Sequence, residues 1–552
     1  MKNSTANENV NSQQSASQSA FHFCSEKRPA ICLFILCGVL YFTWLNAEPL
    51  RTHIEANRVQ ASWEMLHSGD WVVPTLNGES YLAKPPLQYW VICLLALPWG
   101  EVTTFIARSL SALSILFTVW LLFHLAKAQL NARIAFFACV IFALSPLIFE
   151  KGPRAELEAP LTVAVAAAVF CLWKASQSSW MRWTLASGLA LGCAALIKGP
   201  VPWLIFATAW AGLMVGTSNR KQAALSGALA VIVSLLCLAP WGLALLSRFG
   251  WEQLYETLYW EIFERTVSER EIIQEPFWYY IKSLAKGLFP WSLLAPGLYF
   301  LPWRSQQGRA FFCMIVGWAI GSALLFSFFS GKETRYLIST YPAWALLLAW
   351  GWSALPAEGW PNAYRNTMDF AAQWMLPAIV YVGALIVMLI FHPATTYAIA
   401  YLFYGLLIIG VMNIGVAVRR NRPRWLLFAL FITLLGFKGF WSESYMNERQ
   451  HSYPYAKMGH EIAEYLNEGE PLVSVGIYRA FVQYPIKHPF QHVSAWEEFK
   501  ALEQDNKLEG RYLLITQKKM PLDAVHDYPL MNRWRTKRNE FLLFKIDGSV
   551  EP

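Results

Sequence analysis

The sequence predicts a polytopic α-helical membrane protein with a small α/β domain at its C-terminal end. Three observations predict this fold. The chain of 552 residues is 55% hydrophobic and 15% charged, whereas soluble domains carry about a quarter charged residues. Its 27 tryptophans are typical of a protein that meets membrane–water interfaces. Long apolar runs alternate with short basic segments, which is the pattern of helices that cross a bilayer.

The apolar runs give the number of spans, because one crossing needs about 20 apolar residues. We expect about thirteen spans, with an uncertainty of about one. They are predicted at 30–46, 105–126, 134–149, 160–174, 183–197, 200–216, 224–247, 285–303, 310–329, 336–354, 371–391, 396–417 and 425–440. The apolar stretch Leu87–Pro98 is too short to cross and is predicted to be re-entrant or interfacial.

The distribution of Lys and Arg predicts the direction of the spans. Basic residues fall in alternate connections, most densely at Arg419–Arg424, and such connections lie in the cytoplasm. Residues 1–29 are then a cytoplasmic tail, 30–440 the transmembrane domain and 441–552 a soluble domain on the opposite side. We expect the membrane to be a bacterial inner membrane, so that side is the periplasm. The short basic clusters do not form the continuous basic face of a nucleic-acid-binding protein.

Four of the connections predicted to lie on the periplasmic side are considered as candidate functional segments. They are residues 47–104, 150–159, 248–284 and 330–335, named loops 1 to 4 below.

The C-terminal 112 residues differ from the rest because their apolar runs are only four to six residues long. Strands are predicted at Pro471–Ile477, Tyr512–Ile515 and Phe541–Ile546, and helices at Tyr455–Leu466 and Ala495–Leu502. This region is therefore predicted to be a small α/β domain.

Loop 1 carries two groups of candidate functional residues. Glu55 and Arg58 lie three apart on a helix whose apolar residues suit an amphipathic helix in the membrane interface. A solvated charge pair is the alternative interpretation. Further on, Tyr81 precedes Lys84, which two prolines hold in an extended conformation. Lys84 is well placed to meet a lipid phosphate, although an ordinary lysine reaching for the interface is an equal alternative.

Loops 2, 3 and 4 place further charges beside the predicted spans. Glu158 is the last of three loop 2 carboxylates before the span that begins near Pro160, and loop 3 carries Arg265 among several acidic residues. Loop 4 runs from Lys332 through Arg335 to Tyr336. Charges so close to hydrocarbon are costly unless they are paired or line a wet cavity, so they are functional candidates. The basic loop 4 also favours an anionic ligand on that side.

Together these residues resemble the bacterial branch of the protein O-mannosyltransferase superfamily, and within it the lipid A 4-amino-4-deoxy-L-arabinose transferases. The resemblance extends in order from about residue 50 to 345. It rests on Glu55-Ala-x-Arg58, Met65-Leu, Gly69-Asp-Trp, Lys84-Pro-Pro-Leu, Tyr89-Trp90, Ala107-Arg108, Glu158-Ala-Pro-Leu, Lys198-Gly-Pro, Phe277-Trp-Tyr-Tyr, Pro290-Trp and Lys332 through Tyr336.

The resemblance implies the C-type membrane glycosyltransferase fold and a sugar donor linked to polyprenyl phosphate. It implies that Glu55 and Glu158 are the catalytic carboxylates. The family's phosphate-contacting residues match Lys84, Arg265, Tyr81 and Tyr336. Arg58, Lys332 and Arg335 are candidates for acceptor binding or support.

Three departures from the family pattern concern the acids, a metal and loop 4. Both acids are usually Asp, so each carboxylate here reaches one methylene further. Ala83 stands where the family often has a Glu that can bind a metal, and a divalent metal is therefore left unassigned. The loop 4 sequence Lys332-Glu-Thr-Arg335-Tyr336 also differs from the form typical of the aminoarabinose branch. The sugar and the acceptor accordingly stay open.

The predicted function is transfer of a sugar from polyprenyl phosphate to a periplasmic acceptor, such as lipid A or another envelope glycolipid. A related enzyme with a protein acceptor is one alternative. A transporter or flippase for a lipid-linked sugar is another, although the sequence shows no internal repeat and its charges gather in loops. A structural envelope protein would leave the ordered charged loops unexplained.

Overall fold

The structure is a computed structural model. It describes residues 27–43, 45–46, 50, 52–177, 180–259, 275–301, 303, 308–329, 331–354, scattered positions between 405 and 439, and most of 455–546. The predicted spans at 371–391 and 396–417 lie outside the described residues, apart from isolated positions, and so does Arg265. The count of about thirteen spans therefore stays a prediction.

Long apolar helices build the first part of the chain. Five helices of the described residues are long and apolar enough to cross a membrane, and four more apolar helices are shorter. The helices are α1 Lys27–Phe42, α2 His53–Ser68, α3 Leu87–Ala96, α4 Thr104–Gln129, α5 Ala132–Ala143, α6 Pro146–Lys151, α7 Glu158–Gln177, α8 Trp180–Lys198, α9 Val201–Gly216, α10 Arg220–Tyr259, α11 Tyr279–Gly287, α12 Arg309–Val316, α13 Ser322–Ser327 and α14 Tyr341–Ser353.

Most predicted spans within the described residues coincide with one helix or with two consecutive helices. The exception is the run 285–303, which divides between the end of α11 and a 3₁₀-helix at Trp291–Phe300. Proline explains the break, because Pro290 and Pro296 each lack the N–H that a continuing α-helix needs. The span predicted at 310–329 is continuous through a π-helical turn at Gly317–Gly321.

Close contact between backbones holds two of these helices together. A Cβ atom on Gly212 of α9 would lie 2.1 Å from the carbonyl oxygen of Cys313 in α12, and one on Gly317 would lie 2.2 Å from the carbonyl oxygen of Thr208. The hydroxyl groups of Thr208 and Ser322 are hydrogen-bonded at 2.8 Å. Small residues that let helices approach this closely are typical of membrane helix pairs.

Loop 1 folds onto the helices as a compact unit. Helix α2 begins at the N-cap Thr52, whose hydroxyl accepts the N–H of Glu55. The expected helix is confirmed, and its interfacial position stays a prediction. Eight of its side chains are buried, including Val59 and Arg58, so it packs against the rest of the protein.

A short hairpin follows helix α2 in the same loop. Its strands, β1 Thr75–Leu76 and β2 Glu79–Ser80, are joined by an Asn77-Gly78 turn in which both residues have positive φ. The carboxylate of Glu64 in α2 accepts the Asn77 N–H at 2.6 Å and the Thr75 hydroxyl at 2.7 Å. Glu64 therefore fixes the turn that leads to Tyr81.

The C-terminal region contains a five-stranded mixed sheet. Its strands are β3 Leu472–Val475, β4 Phe490–Val493, β5 Tyr512–Thr516, β6 Leu530–Arg535 and β7 Glu540–Lys545, and its helices are α15 Tyr455–Ala463 and α16 Trp496–Gln504. The strand order is β4-β3-β5-β7-β6. Strand β3 pairs in parallel with β4 and β5, whereas β7 pairs antiparallel with β5 and β6. The three predicted strands and both predicted helices are present, and β4 and β6 are additional.

Candidate active site

A buried carboxylate surrounded by cations lies where loops 1, 2 and 4 meet. Glu158 opens α7 and is 3% exposed. One of its oxygens, Oε1, lies 3.1 Å from Nζ of Lys198 at the end of α8. Its other oxygen, Oε2, is buried and has no hydrogen-bond partner among the described residues. A buried acceptor of this kind is costly unless water or a ligand completes it.

Loop 4 contributes a second cation and an aromatic ring. The Nζ of Lys198 lies 5.0 Å from the centre of the Tyr336 ring, and the guanidinium of Arg335 lies 5.9 Å from the same ring. Arg335 also pairs with Glu333, with an Nη2–Oε1 distance of 2.7 Å. Burial lowers the pKa of Arg335, but Glu333 and Glu158 raise it by more, so the net shift is upward. Glu158 is therefore within electrostatic reach of Arg335.

Loop 1 contributes the third cation. Arg58 is 3% exposed and lies 5.5 Å from the ring centres of both Tyr81 and Tyr89. Its Nη1 donates a hydrogen bond to the Tyr89 hydroxyl. Burial lowers the pKa of Arg58, but Tyr89, Tyr81 and Glu158 raise it by more. We name the group Glu158, Lys198, Arg335, Tyr336 and Arg58 the Glu158 cluster.

Glu55 does not join this cluster. It is 0% exposed, and its two oxygens lie 2.8 and 3.1 Å from Nε and Nη2 of Arg108 in α4. The N–H of Ala155 in loop 2 donates to Glu55 Oε1 at 3.1 Å. The solvated Glu55–Arg58 pair that spacing allows is not formed, because Arg58 turns toward Tyr89. The catalytic role expected of Glu55 stays a prediction, and its geometry is that of a residue that ties loop 1 to loop 2 and α4.

Loop 2 is held in place by further polar contacts. Glu156 is 1% exposed and accepts the hydroxyl of Thr52 at 3.1 Å. The fully buried Gln88 of α3 donates to the carbonyl oxygens of Ala155 and Glu156 at 3.3 and 3.2 Å. These bonds fix the start of α3, which directly follows Lys84 and its two prolines.

The remaining predicted residues are placed as follows. Lys84 is partly buried, and its Nζ donates to the carbonyl oxygen of Ala83 at 2.5 Å. Lys332 donates to the carbonyl oxygen of Glu275 at 3.0 Å and so joins loop 4 to loop 3. The structure thus brings Glu158, Arg335 and Tyr336 together around Lys198. It places Arg58 beside Tyr81, within electrostatic reach of Glu158.

Sequence reasoning assigned no role to Lys198 or Arg108. Each of them has a feature in the sequence that could have marked it as a functional candidate. Lys198 lies in a two-residue connection between predicted spans, and Arg108 lies within an apolar run, where an unpaired cation is expensive. The sequence alone did not identify the carboxylate that each of them meets.

No resident divalent metal is assigned to the described residues. They contain no group of three His, Cys, Asp or Glu side chains that could hold one. Among them, Glu158 is paired with Lys198, and Glu156 has Lys151 at 3.6 Å. Ala83 offers no carboxylate at the position where the family often has one.

Comparisons with known proteins agree with this architecture. Residues 83–243 match the family model described as dolichyl-phosphate-mannose-protein mannosyltransferase. A crystal structure of ArnT from Cupriavidus metallidurans bound to undecaprenyl phosphate superposes with a TM-score of 0.76 and 19% sequence identity. This match covers 96% of this chain and 100% of that one.

Two curated relatives are named undecaprenyl phosphate-α-4-amino-4-deoxy-L-arabinose arabinosyl transferase. The protein from Edwardsiella ictaluri is 32% identical over 340 residues, which are 57% of this chain and 58% of the relative. The protein from Serratia proteamaculans is 29% identical over 326 residues, or 58% of each chain. The matched region thus spans less than two thirds of these relatives. The resemblance first seen in the motifs is confirmed, and the chain has the membrane glycosyltransferase fold of ArnT.

Proposed function

We propose that this protein transfers a glycosyl unit from a polyprenyl-phosphate carrier to an acceptor at the side of the membrane where loops 1 to 4 gather. The observation that carries the proposal is the Glu158 cluster. It combines one buried carboxylate with three cations, and one carboxylate oxygen has no hydrogen-bond partner among the described residues. Such a site suits a reaction in which an anionic phosphate leaves while an acceptor oxygen attacks.

The donor class is supported by similarity to proteins named for undecaprenyl phosphate-linked aminoarabinose. We infer an aminoarabinose-type donor and, as the acceptor, lipid A or another envelope glycolipid. The membrane is then a bacterial inner membrane, with loops 1 to 4 and residues 441–552 in the periplasm. Membrane lipids surround the helices.

In the reaction, the bond between the anomeric carbon of the sugar and the phosphate oxygen breaks, and the acceptor oxygen bonds to that carbon. The departing polyprenyl phosphate gains negative charge, which fixed cations in a water-poor site stabilise strongly. Lys198 and Arg335 are suited to this role. Lys84, Tyr81, Tyr336 and Arg265 are proposed contacts of the same phosphate.

Glu158 is suited to act on the acceptor. A hydroxyl acceptor must lose a proton, and the Glu158 carboxylate would take it as general base. A phosphate acceptor needs no general base, and the cations paired with Glu158 would then hold it, with Glu158 keeping Lys198 in place. The negative charge of Glu158 is needed for proton removal in the first case and for its pairing with Lys198 in the second.

Transfer by the purified full-length chain tests this function. Undecaprenyl-phosphate aminoarabinose and lipid A are supplied, and the products are identified by mass spectrometry. We expect Glu158→Gln to lower turnover by about 100-fold or more, because a positioned acid or base contributes roughly 10² to 10⁴. Glu150→Gln is the matched control, since the Glu150 side chain in the same loop is 55% exposed. Near-normal transfer by Glu158→Gln would contradict the assignment.

The substrates themselves need a second measurement. Envelope lipids and glycans from cells with and without the protein are compared by mass spectrometry. We expect loss of an aminoarabinose-modified glycolipid in the cells that lack it. A change confined to glycosylated proteins would instead support the alternative of a protein acceptor.

A further inference from the structure

One turn of the C-terminal sheet domain packs against the end of loop 1. Tyr484 in this turn is 7% exposed, and its hydroxyl donates to the carbonyl oxygen of Val102 at 2.8 Å. Beside it, Nζ of Lys487 lies 2.9 Å from Oε1 of Glu101. The ion pair is partly exposed and therefore weak, so the buried tyrosine provides most of the contact.

The apolar neighbours of Tyr484 adjoin the buried polar network. Its ring belongs to a single apolar cluster with Val59 and Ala155. Val59 follows Arg58 of the Glu158 cluster, and Ala155 donates its N–H to Glu55. Tyr484 thus packs against residues of both loop 1 and loop 2, next to the Glu55–Ala155 hydrogen bond that joins the two loops.

Tyr484 is also electrostatically close to Arg108. Burial and the negative charge of Glu101 raise the pKa of the Tyr484 hydroxyl, whereas the Arg108 guanidinium lowers it. Val102 immediately precedes Thr103, the N-cap of α4, and Arg108 lies in the second turn of that helix. A bond to the Val102 carbonyl therefore acts on the backbone that sets the position of Arg108.

We propose that Tyr484 is a positioning residue for the transfer reaction, and this inference rests on the proposed function. Tyr484 fixes the start of α4 so that Arg108 holds Glu55 against Ala155. That contact holds loop 2 in the conformation that positions Glu158 for the transfer reaction. The C-terminal domain thereby takes part in catalysis without touching the substrate.

Kinetic constants of Tyr484 variants test the proposal in the full-length chain. We expect Tyr484→Ala to lower kcat by roughly tenfold or more while the KM for the donor changes less than about twofold, because the proposed phosphate contacts are separate from Tyr484. Tyr484→Phe keeps the ring and loses one hydrogen bond, so it should lose only about two- to tenfold. Tyr465→Ala and Tyr465→Phe are matched controls, since the Tyr465 ring contacts Tyr512 within the sheet domain. They should leave kcat unchanged.

A cross-link measures the contact without relying on activity. Cysteines are placed at both positions of the ion pair (Glu101→Cys with Lys487→Cys) and joined in membranes by a short bis-maleimide, and the linked peptides are identified by mass spectrometry. The link should form in this double variant and persist when Tyr465→Ala is added. It should fall sharply when Tyr484→Ala is added.

Two results would overturn the proposal, and they can be told apart. An unchanged kcat in Tyr484→Ala, beside an active parent chain, refutes the positioning role alone. Absence of transfer in every form, with the Tyr484-dependent cross-link intact, refutes the proposed function and with it this role for Tyr484.

Discussion

Two glutamates that look equivalent in the sequence have different surroundings in the structure. Glu55 has both oxygens engaged by Arg108 and a third bond from Ala155. Glu158 has one oxygen on Lys198 and the other without a hydrogen-bond partner in the described part of the chain. A saturated carboxylate stabilises structure, whereas a partly satisfied one can act on a ligand. The family resemblance alone gives both the same role.

The stability of Glu55 variants should separate these roles. Glu55→Gln leaves the buried Arg108 without its counter-charge, which costs about 3 to 5 kcal/mol when one partner of a buried pair is removed. We therefore expect a large fall in the thermal unfolding temperature in detergent. Because Gln still accepts the Ala155 N–H, transfer per folded molecule should be reduced but measurable.

The double variant Glu55→Leu with Arg108→Met provides the control. It removes both charges, so its stability should lie closer to that of the parent chain. Complete loss of transfer in Glu55→Gln at unchanged stability would instead support the catalytic role that the resemblance implies for Glu55.

Lys84 offers a test of donor binding at the same scale. Lys84→Ala removes a cation proposed to meet the carrier phosphate and should weaken binding of undecaprenyl phosphate, measured in detergent with the full chain. Lys84→Arg should rescue poorly, because a planar guanidinium places its donors differently from an ammonium group. Equal carrier binding by Lys84→Ala and the parent chain would refute this contact. Arg265→Ala tests the second predicted cation in the same way.

At the residue level, the sequence could not predict which charged residues pair, because the partners lie far apart in the chain. Residue type, position relative to the spans and the family resemblance together selected Glu158, Arg58, Arg335 and Tyr336. The pairing of Glu158 with Lys198 spans 40 residues, and that of Glu55 with Arg108 spans 53. No local spacing rule reaches so far, so the sequence did not show which carboxylate has an available oxygen.

At the scale of elements, hydropathy located the helices but not their interruptions. The run 285–303 is apolar throughout and was predicted as one span, yet it divides at Phe289–Pro290. Helix α10 is interrupted at Gly250, whose dihedral angles are non-helical, and a second helical segment then continues to Tyr259, beyond the apolar run. The length and hydropathy of an apolar run do not predict where its helix breaks, because such breaks depend on individual Pro and Gly residues.

The close packing of α9 against α12 gives a prediction for one glycine. Gly212→Ala would place a methyl group 2.1 Å from the Cys313 carbonyl oxygen, so the helices must separate. Overpacking of this kind typically costs about 1 to 3 kcal/mol. We expect a lower unfolding temperature and less folded protein in size-exclusion chromatography.

Gly242→Ala is the matched control for that variant. Gly242 lies in α10, and a Cβ atom there meets nothing within 4 Å. Alanine favours the helix by about 1 kcal/mol over glycine, so stability should be unchanged or slightly higher. Equal stability of the Gly212→Ala and Gly242→Ala variants would mean that the two helices are not in close contact.

At the scale of the whole molecule, the sequence predicted an α/β region after the spans but not its complete sheet. Strands β3, β5 and β7 are apolar and were expected. Strand β4, with the sequence Phe490-Gln-His-Val493, and strand β6, in which Asn532, Arg533 and Arg535 are polar or charged, were missed. Both lie at the edges of the sheet. Edge strands bury less surface and therefore carry a weaker apolar signal.

The contact between Tyr484 and Val102 constrains the topology of the whole chain. Because the two residues touch, the C-terminal domain and loop 1 must lie on the same side of the membrane, and an even number of spans must separate them. The predicted set has an even number there, although two of its members lie outside the described residues. The contact thus supports the parity of the prediction independently of the positive-inside rule.

The last prediction concerns the side of the membrane on which loop 1 and the C-terminal domain both lie. The basic run Arg419–Arg424 places the connection before the final span in the cytoplasm, so residues 441–552 should lie in the periplasm. A reporter that is active only outside the cytoplasm should be active when fused at the C-terminus and inactive when fused after Leu130, between α4 and α5. Activity at Leu130 and none at the C-terminus would invert the protein and move the Glu158 cluster to the cytoplasmic face. Activity at both points would instead break the parity that the Tyr484–Val102 contact requires.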